Sequence, residues 1–392
     1  MSTTRTRLLQ RLARWHWGTP AWVCVGAALL LSVIGLVAIG TVRSDLVARQ
    51  MVALCIGLAA AGAAVLPSHR RLDMIAWPLM ALCLVLLLVL LIPGMPEFLV
   101  RPRNGASRWV NVGLTEMQPS ELAKVAVVLA IASWLRLRRN QRSFAGLLPP
   151  ILLGLVPMAL VLVEPDLGTA LLFLPICFAM LVAAGARWRD LGKVCAIGLA
   201  GAALMIPLLR PHQVDRLDAM WAQLTGDTSL ADSSGYQGQL AMTMVAAGGA
   251  VGQGGEQAAE LLTWNHLPED HNDMVFAVIA LRWGLLGQVV IWGLFLLLVV
   301  GGLLTAATCR EPFGRLIAVG ASSLLFAQMM VNTGMTIGVM PITGMTLPFV
   351  SAGGSSLVTA WILVGLVLSV GLRPPSRLWR EQFAFDDGGG HG

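Results

Sequence analysis

In the run WNHLPEDHNDMVFAVIA, four ionisable residues, Glu269, Asp270, His271 and Asp273, fall within five positions and lead directly into apolar sequence. Carboxylates and imidazoles this close can supply a general base toward a hydroxyl or, with His266, ligands for a divalent cation such as manganese or magnesium. A second group lies in QPSELAKVAVVLA, where Pro119 opens a helix and Glu121 and Lys124 stand three residues apart on one face. They form either a structural ion pair or, with Arg108 upstream, a cationic pocket for an anionic headgroup. Arg brings a planar fork that suits phosphate, and Lys a movable point charge. A third candidate is Asp166 in VEPDLGTALLF, at a Pro-Asp break where a carboxylate caps the next helix or serves chemistry.

The elements that must hold these residues follow from composition. Of 392 residues only 12% are charged and 56% are hydrophobic, with a mean hydropathy of +0.75, too few charges to cover a soluble domain. Ten apolar stretches approach the roughly 20 residues that cross a hydrocarbon core of about 30 Å. They lie near 20–42, 50–66, 74–93, 119–135, 146–163, 168–185, 191–209, 274–301, 315–334 and 355–372. The expectation is an all-α polytopic membrane protein with about ten transmembrane helices and a long extracytoplasmic loop between helices 7 and 8, not a barrel.

The chain divides into a basic cytoplasmic N-terminus (1–19), a transmembrane domain (20–373) and a cytoplasmic tail (374–392) whose DDGGGHG is expected to be disordered. With the N-terminus inside, 18 of the 27 Lys and Arg residues face the cytoplasm, so both termini are expected there. This sorting by side accounts for the net charge of +6 without a nucleic-acid partner. The first span is too long for a cleavable signal and reads as a retained helix. The six cysteines lie in or beside apolar spans without a C-x-x-C pair, so neither a disulfide framework nor a zinc site is expected. The candidate residues then gather on the outer segments 94–118, 164–167, 210–273 and 335–354. In the third, GYQGQLAMTMVAAGGAVGQGGEQ follows no strand and reads as flexible or re-entrant backbone rather than a phosphate loop. In the fourth, Pro341, Pro348 and Gly353-Gly354 break the backbone, which at membrane depth must line a cavity or be buried in protein.

Taken in order, NGASRW, QPSELAK, EPDLGTA, GYQ, LPEDHNDMVFAVIA and PITGMTLPFVSAGGSSL resemble the motifs of the SEDS family (shape, elongation, division and sporulation), the RodA, FtsW and SpoVE proteins. The resemblance runs from about residue 20 to 373. It implies an inverting peptidoglycan glycosyltransferase that polymerises lipid II into glycan strands at the outer face of a bacterial cytoplasmic membrane, for elongation or division. Undecaprenyl pyrophosphate is the implied leaving group and a class B penicillin-binding protein the implied partner. Asp273 falls on the family's catalytic Asp, and Arg108, Glu121 and Lys124 on positions around its substrate cavity. Asp166, Arg216, Glu269, His271, Ser355 and Ser356 are read with them as substrate-binding. No cofactor is implied beyond a divalent cation, manganese or magnesium, as pyrophosphate counter-ion.

Leu281 and Arg282 stand where the family has two acids, Ala352 where it has Tyr, Met274 where it has Phe, and His212 at the first position of its Y-Q-x-x-R pattern. These changes leave Asp273 in place and mark a divergent member. The same cavity would serve a lipid II flippase or transporter, and Leu281 and Arg282 would suit a silent scaffold for a penicillin-binding protein. A coupled carrier places its acids near mid-membrane, whereas this cluster lies at the outer face. The partner is expected on spans eight and nine, where Gly284, Gly287, Gly301 and Gly302 offer close approach. EPDLGTALL leans toward the elongation branch and LPE toward division.

Overall fold

The computed structural model describes residues 15–92, 96, 100, 108–111, 116–136, 143–205, 211–225 and 235–373. The N-terminal arginines up to Arg14, and the C-terminal tail with its expected disorder, lie outside the described residues. The helices are α1 (Ala21–Val42), α2 (Ser44–Val65), α3 (His69–Leu90), α4 (Pro119–Arg136), α5 (Phe144–Val163), α6 (Leu167–Leu171), α7 (Phe173–Ala183) and α8 (Trp188–Met205), followed by α9 (Pro211–Thr225), α10 (Tyr236–Gly248), α11 (Gly255–Asn265), α12 (Val275–Thr308), α13 (Pro312–Thr336) and α14 (Gly354–Gly371). A two-residue antiparallel ribbon, β1 (Val110–Asn111) with β2 (Glu116–Met117), leads into α4.

This is a multi-pass helical membrane protein. Among the described residues, seven helices are long and apolar enough to cross a bilayer: α1, α2, α3, α5, α12, α13 and α14. The other three expected spans fall on α4, which carries Glu121, Lys124 and Arg136; on α6 and α7, which change at Leu172; and on α8, whose start holds Arg189, Asp190 and Lys193. Helices α4, α13 and α14 form the centre. All of α4 is buried except Leu122, Trp134 and Arg136, and two-thirds of the apolar windows of α13 and α14 are buried, against 17% in α2. Glu121 and Lys124 persist inside because they neutralise each other at 2.7 Å; either one alone would be an uncompensated buried charge.

Two features build the end of the bundle that carries Asp273. First, α12 has 34 residues, which at a rise of about 1.5 Å per residue would span about 51 Å if straight. It breaks at Gly284, with φ 63° and ψ −155°. The break frees backbone groups that apolar surroundings would leave unpaired. Residues 249–254 bind all four: Gln253 N donates to Leu281 O (2.9 Å), Gly254 N to Arg282 O (3.2 Å), Leu285 N to Gly249 O (2.9 Å) and Leu286 N to Ala250 O (3.2 Å). The glycine-rich run is therefore mostly helical, in α10 and α11, and its irregular centre is a backbone stitch rather than the flexible or re-entrant loop expected. Second, residues 337–353 leave α13 and pack into the bundle. A Cβ at Gly35 of α1 would lie 2.6 Å from Val350 Cα, so only glycine admits this segment. Gln50 Nε2 donates to Ser351 O (2.9 Å) and Leu347 N to Ser351 Oγ (2.7 Å). Residues 347–351 of the broken backbone are buried in protein, as membrane depth requires, while Val339 and Gly344 are exposed.

The glycines expected to receive a partner helix are used internally. Gly301 packs on Cys24 and Pro20, Gly302 on Ser322 of α13, Gly284 on residues 250–252, and Gly287 on Trp283 and Ile279 of its own helix. Close approach there closes the bundle itself. The α12 face left open is apolar and bulky, with Leu285, Val289, Trp292 and Leu296 all exposed.

An alanine at 284 would hold a left-handed φ and press its Cβ to 2.4 Å from Gly252 N. Gly284→Ala is expected to cost about 2 kcal/mol or more, seen as a lower Tm in detergent. An unchanged Tm would show that the break is not held as described.

Candidate active site

Asp273 sits between a tight turn and a long helix. Glu269, at φ 54°, starts the turn. Its carbonyl accepts from Asn272 N (3.0 Å) and Met274 N (3.2 Å), and its Oε2 from Asn272 Nδ2 (2.6 Å). The geometry delivers Asp273 inward at the mouth of α12, 7% exposed, with Oδ1 buried and unpartnered among the described residues. Its carboxylate faces Gly344 of the 337–353 loop, where a Cβ would lie 3.6 Å from Oδ2. Burial is the chief cause that raises the Asp273 pKa to about 7; Glu269 adds to it, while a backbone hydrogen bond, Arg216 and His271 oppose it.

The turn that follows α5 forms the opposite wall. Asp166 accepts from Thr169 N (3.2 Å), capping α6, and from Gln118 Nε2 (2.9 Å), so it is both a cap and a tether to the start of α4. Arg108 Nε donates to Glu164 O (3.0 Å), and its Nη2 to Pro165 O. Glu164 is buried, and desolvation first, then Asp166, pushes its carboxyl up to about 8 against the opposing Arg108. It is a neutral acid at neutral pH. Gly168 packs against Thr343 and Met345, so this wall meets the loop beneath Asp273.

Arg216 of α9 joins the two walls. Burial lowers its pKa first and Arg108 next, while Asp273 and Asp166 act in the other direction. One electrostatic neighbourhood therefore holds Arg108, Asp166, Arg216, Glu269, His271 and Asp273 of the expected site. His271 Nδ1 lies 3.0 Å from Asp270 Oδ1, which holds its pKa up, and its carbonyl accepts from Ala352 N (2.9 Å). Ala352 occupies the family's tyrosine position through its backbone. Ser356 Oγ meets Thr346 Oγ1 at 2.8 Å inside the loop, and Ser355 is half-buried beside it on the first turn of α14. Glu121 and Lys124 begin one turn below Gln118 and are spent on each other. Arg282, in place of an acid, donates to Thr41 Oγ1 and stacks on Trp283, 4.9 Å to the ring centroid.

Among the described residues, no group of three or more His, Cys, Asp and Glu side chains is placed to hold a metal ion. Asn272 binds Glu269, Asp270 binds His271, and Asp273 points toward Gly344, so these donors do not converge. Glu164 and Asn332 join the site without standing among the candidates that the sequence suggests. Asn332 of α13 is fully buried and donates from Nδ2 to both Asp273 O (2.8 Å) and Met345 O (2.6 Å). The available signal was polarity inside an apolar run, VNTGMT for one and a second acid beside Asp166 for the other.

Fold and site together define an integral membrane bundle with a buried acid and flanking cations at one end. The model of the cell cycle protein family FtsW/RodA/SpoVE matches residues 18–373. The chain belongs to that family. It is 31% identical over 382 residues to a probable peptidoglycan glycosyltransferase FtsW of Coxiella burnetii, covering 92% of this chain and 98% of that protein. It is 33% identical over 297 residues to stage V sporulation protein E of Bacillus subtilis, covering 74% and 77%. Among solved structures, a chain from a peptidoglycan synthase complex that coordinates polymerization and crosslinking superposes with a TM-score of 0.76 at 33% identity, over 91% and 97% of the two chains. The rod shape determining protein RodA of Thermus thermophilus gives 0.66 at 31%, over 91% and 96%.

Glu164 keeps its proton in the folded protein up to about pH 8, whereas an unfolded chain releases it near 4.5. This group therefore lowers stability as pH rises through that window. Glu164→Gln, neutral throughout, is expected to lose less Tm than wild type between pH 5 and pH 8. An equal loss in both would mean that Glu164 is ionised in the fold.

Proposed function

We propose that this protein is a peptidoglycan glycosyltransferase that polymerises lipid II at the outer face of the bacterial cytoplasmic membrane, with Asp273 as its general base. The observation that carries the reading is a carboxylate buried at the mouth of α12, its pKa pushed up to about 7 by that burial, with Arg216 as an opposing charge. A base is most effective when its pKa lies near the working pH.

In this reaction Asp273 takes the proton of the acceptor GlcNAc 4-hydroxyl as that oxygen attacks the anomeric carbon of the donor MurNAc. The bond to the pyrophosphate breaks, and an α linkage becomes a β-1,4 bond. Negative charge then grows on the departing undecaprenyl pyrophosphate, and Arg216, which acts on the base, and Arg108, which acts on Arg216, are the cations that meet it. Lys124 contributes through the pair with Glu121, deeper along α4. A preorganised positive site of this kind is worth about 10²-fold or more in rate per contact. Glu164, protonated, adds no negative charge where the pyrophosphate must bind. Asp166, Glu269, His271, Ser355 and Ser356 line or brace the same site. A divalent cation enters only as a counter-ion to the pyrophosphate, and chelator-insensitive polymerisation would remove it.

The partner is a class B penicillin-binding protein, in keeping with the synthase complex whose chain this one resembles. The sorting of basic residues by side supports a topology with both termini in the cytoplasm.

Asp273→Asn keeps size and most hydrogen bonding but cannot accept the proton. The variant is expected to reach the membrane folded and to lose glycan polymerisation from labelled lipid II by about 10²-fold or more. Equal chain synthesis by wild type and variant would remove Asp273 from catalysis.

A further inference from the structure

The side chain of Asn332 makes two hydrogen bonds from a single nitrogen. Both amide hydrogens go to carbonyls, that of Asp273 at 2.8 Å and that of Met345 at 2.6 Å. The amide cannot be turned over, because Oδ1 would then face two carbonyl oxygens. In the orientation observed, Oδ1 is buried with no partner among the described residues. An orphaned buried acceptor is a local penalty that the arrangement accepts. Thr336 Oγ1 donates to Asn332 O (2.9 Å), adding a side-chain tie within the last turn of α13.

The two carbonyls belong to the two segments that meet at the reactive carboxylate. One is the backbone of Asp273 itself, where the 269–274 turn enters α12. The other follows Gly344, the residue that the carboxylate faces. A fully buried side chain on α13 thus holds both the residue bearing the base and the floor beneath it. We propose that Asn332 is a positioning residue of the transfer reaction, fixing the Asp273 carboxylate against the acceptor hydroxyl by clamping the α12 entry to the 337–353 loop. This assignment rests on the glycosyltransferase reading. It acts through geometry, and a displacement of about 1 Å at such a site costs about 10²-fold in rate.

The test uses the full chain with its partner, labelled lipid II, and rates followed across pH. Asn332→Asp has the same size but sets two oxygens against the carbonyls, and Asn332→Ser is smaller and keeps one donor. The Asp variant is expected to lose kcat by about 10²-fold, and the Ser variant by about 10-fold, with KM within about threefold of wild type in both. In the Ser variant the carboxylate gains access to water, so the acidic limb of the rate moves to lower pH; Glu269, His271 and Arg216, the charges that face Asp273, are unchanged. Thermal unfolding monitors folding, and the Ser variant carries the test if the Asp variant does not fold. A folded variant with the wild-type kcat and pH profile, or a loss confined to KM, would overturn the assignment alone. Wild-type protein that makes no glycan would overturn the glycosyltransferase reading and this assignment with it.

Discussion

Withdrawing the Asp273 carboxylate from water is the constraint on which this site depends. An ionised acid at an apolar boundary pays heavily for lost hydration, and the cheapest response is to hold its proton more tightly. The surroundings stop short of making the acid permanently neutral, because Arg216 and His271 pull the pKa down while burial and Glu269 pull it up. The balance leaves a group that takes and gives a proton near neutrality. On the facing wall Glu164 meets the same burial with Asp166 beside it, and settles higher, at about 8. Two carboxyls in one neighbourhood thereby divide their roles by environment.

Burial of this kind needs walls, and they are built from backbone that is not regular helix. The 337–353 loop enters the bundle because Gly35 leaves it room, and Gln50, Ser351 and Asn332 satisfy its polar groups. The break at Gly284 divides α12 into a first piece whose residues 275–281 are buried behind Asp273 and a second piece with an exposed apolar face. Residues 249–254 take the hydrogen bonds lost at the break, so that segment and α12 are joined by backbone rather than by side chains. The carbonyls of Leu281 and Arg282, not their side chains, hold it, so these side chains can vary without undoing the join. Arg282 is free to reach Thr41.

Much of this was legible in the sequence, and the limits have physical causes. Long apolar runs announce spans whatever their neighbours are, so α1, α3, α5, α13 and α14 fell close to their expected places. Helical spacing puts Glu121 and Lys124 on one face, but whether they pair or serve an anionic headgroup is decided only by the burial of both. The helices inside 210–273 were missed because glycine spacing looks the same in a loop as in a helix that must pack closely. The Gly284 break was missed because glycines are common in membrane helices, and only the 249–254 backbone across from it reveals the need. Arg108 was placed at the site by motif, but its commitment to the Glu164 and Pro165 carbonyls depends on a turn brought near only by folding. Asn332 was overlooked for the same reason, since its partners lie 59 and 13 residues away.

The pH dependence of polymerisation by the wild-type protein tests the central claim most directly. If a buried Asp273 is the base, the rate from lipid II falls as pH drops, and is half-maximal near pH 7. Removing the opposing cation with Arg216→Ala moves that limb to higher pH. A limb near pH 4, where an ordinary aspartate titrates, or a rate unchanged between pH 5 and pH 8, would contradict the account.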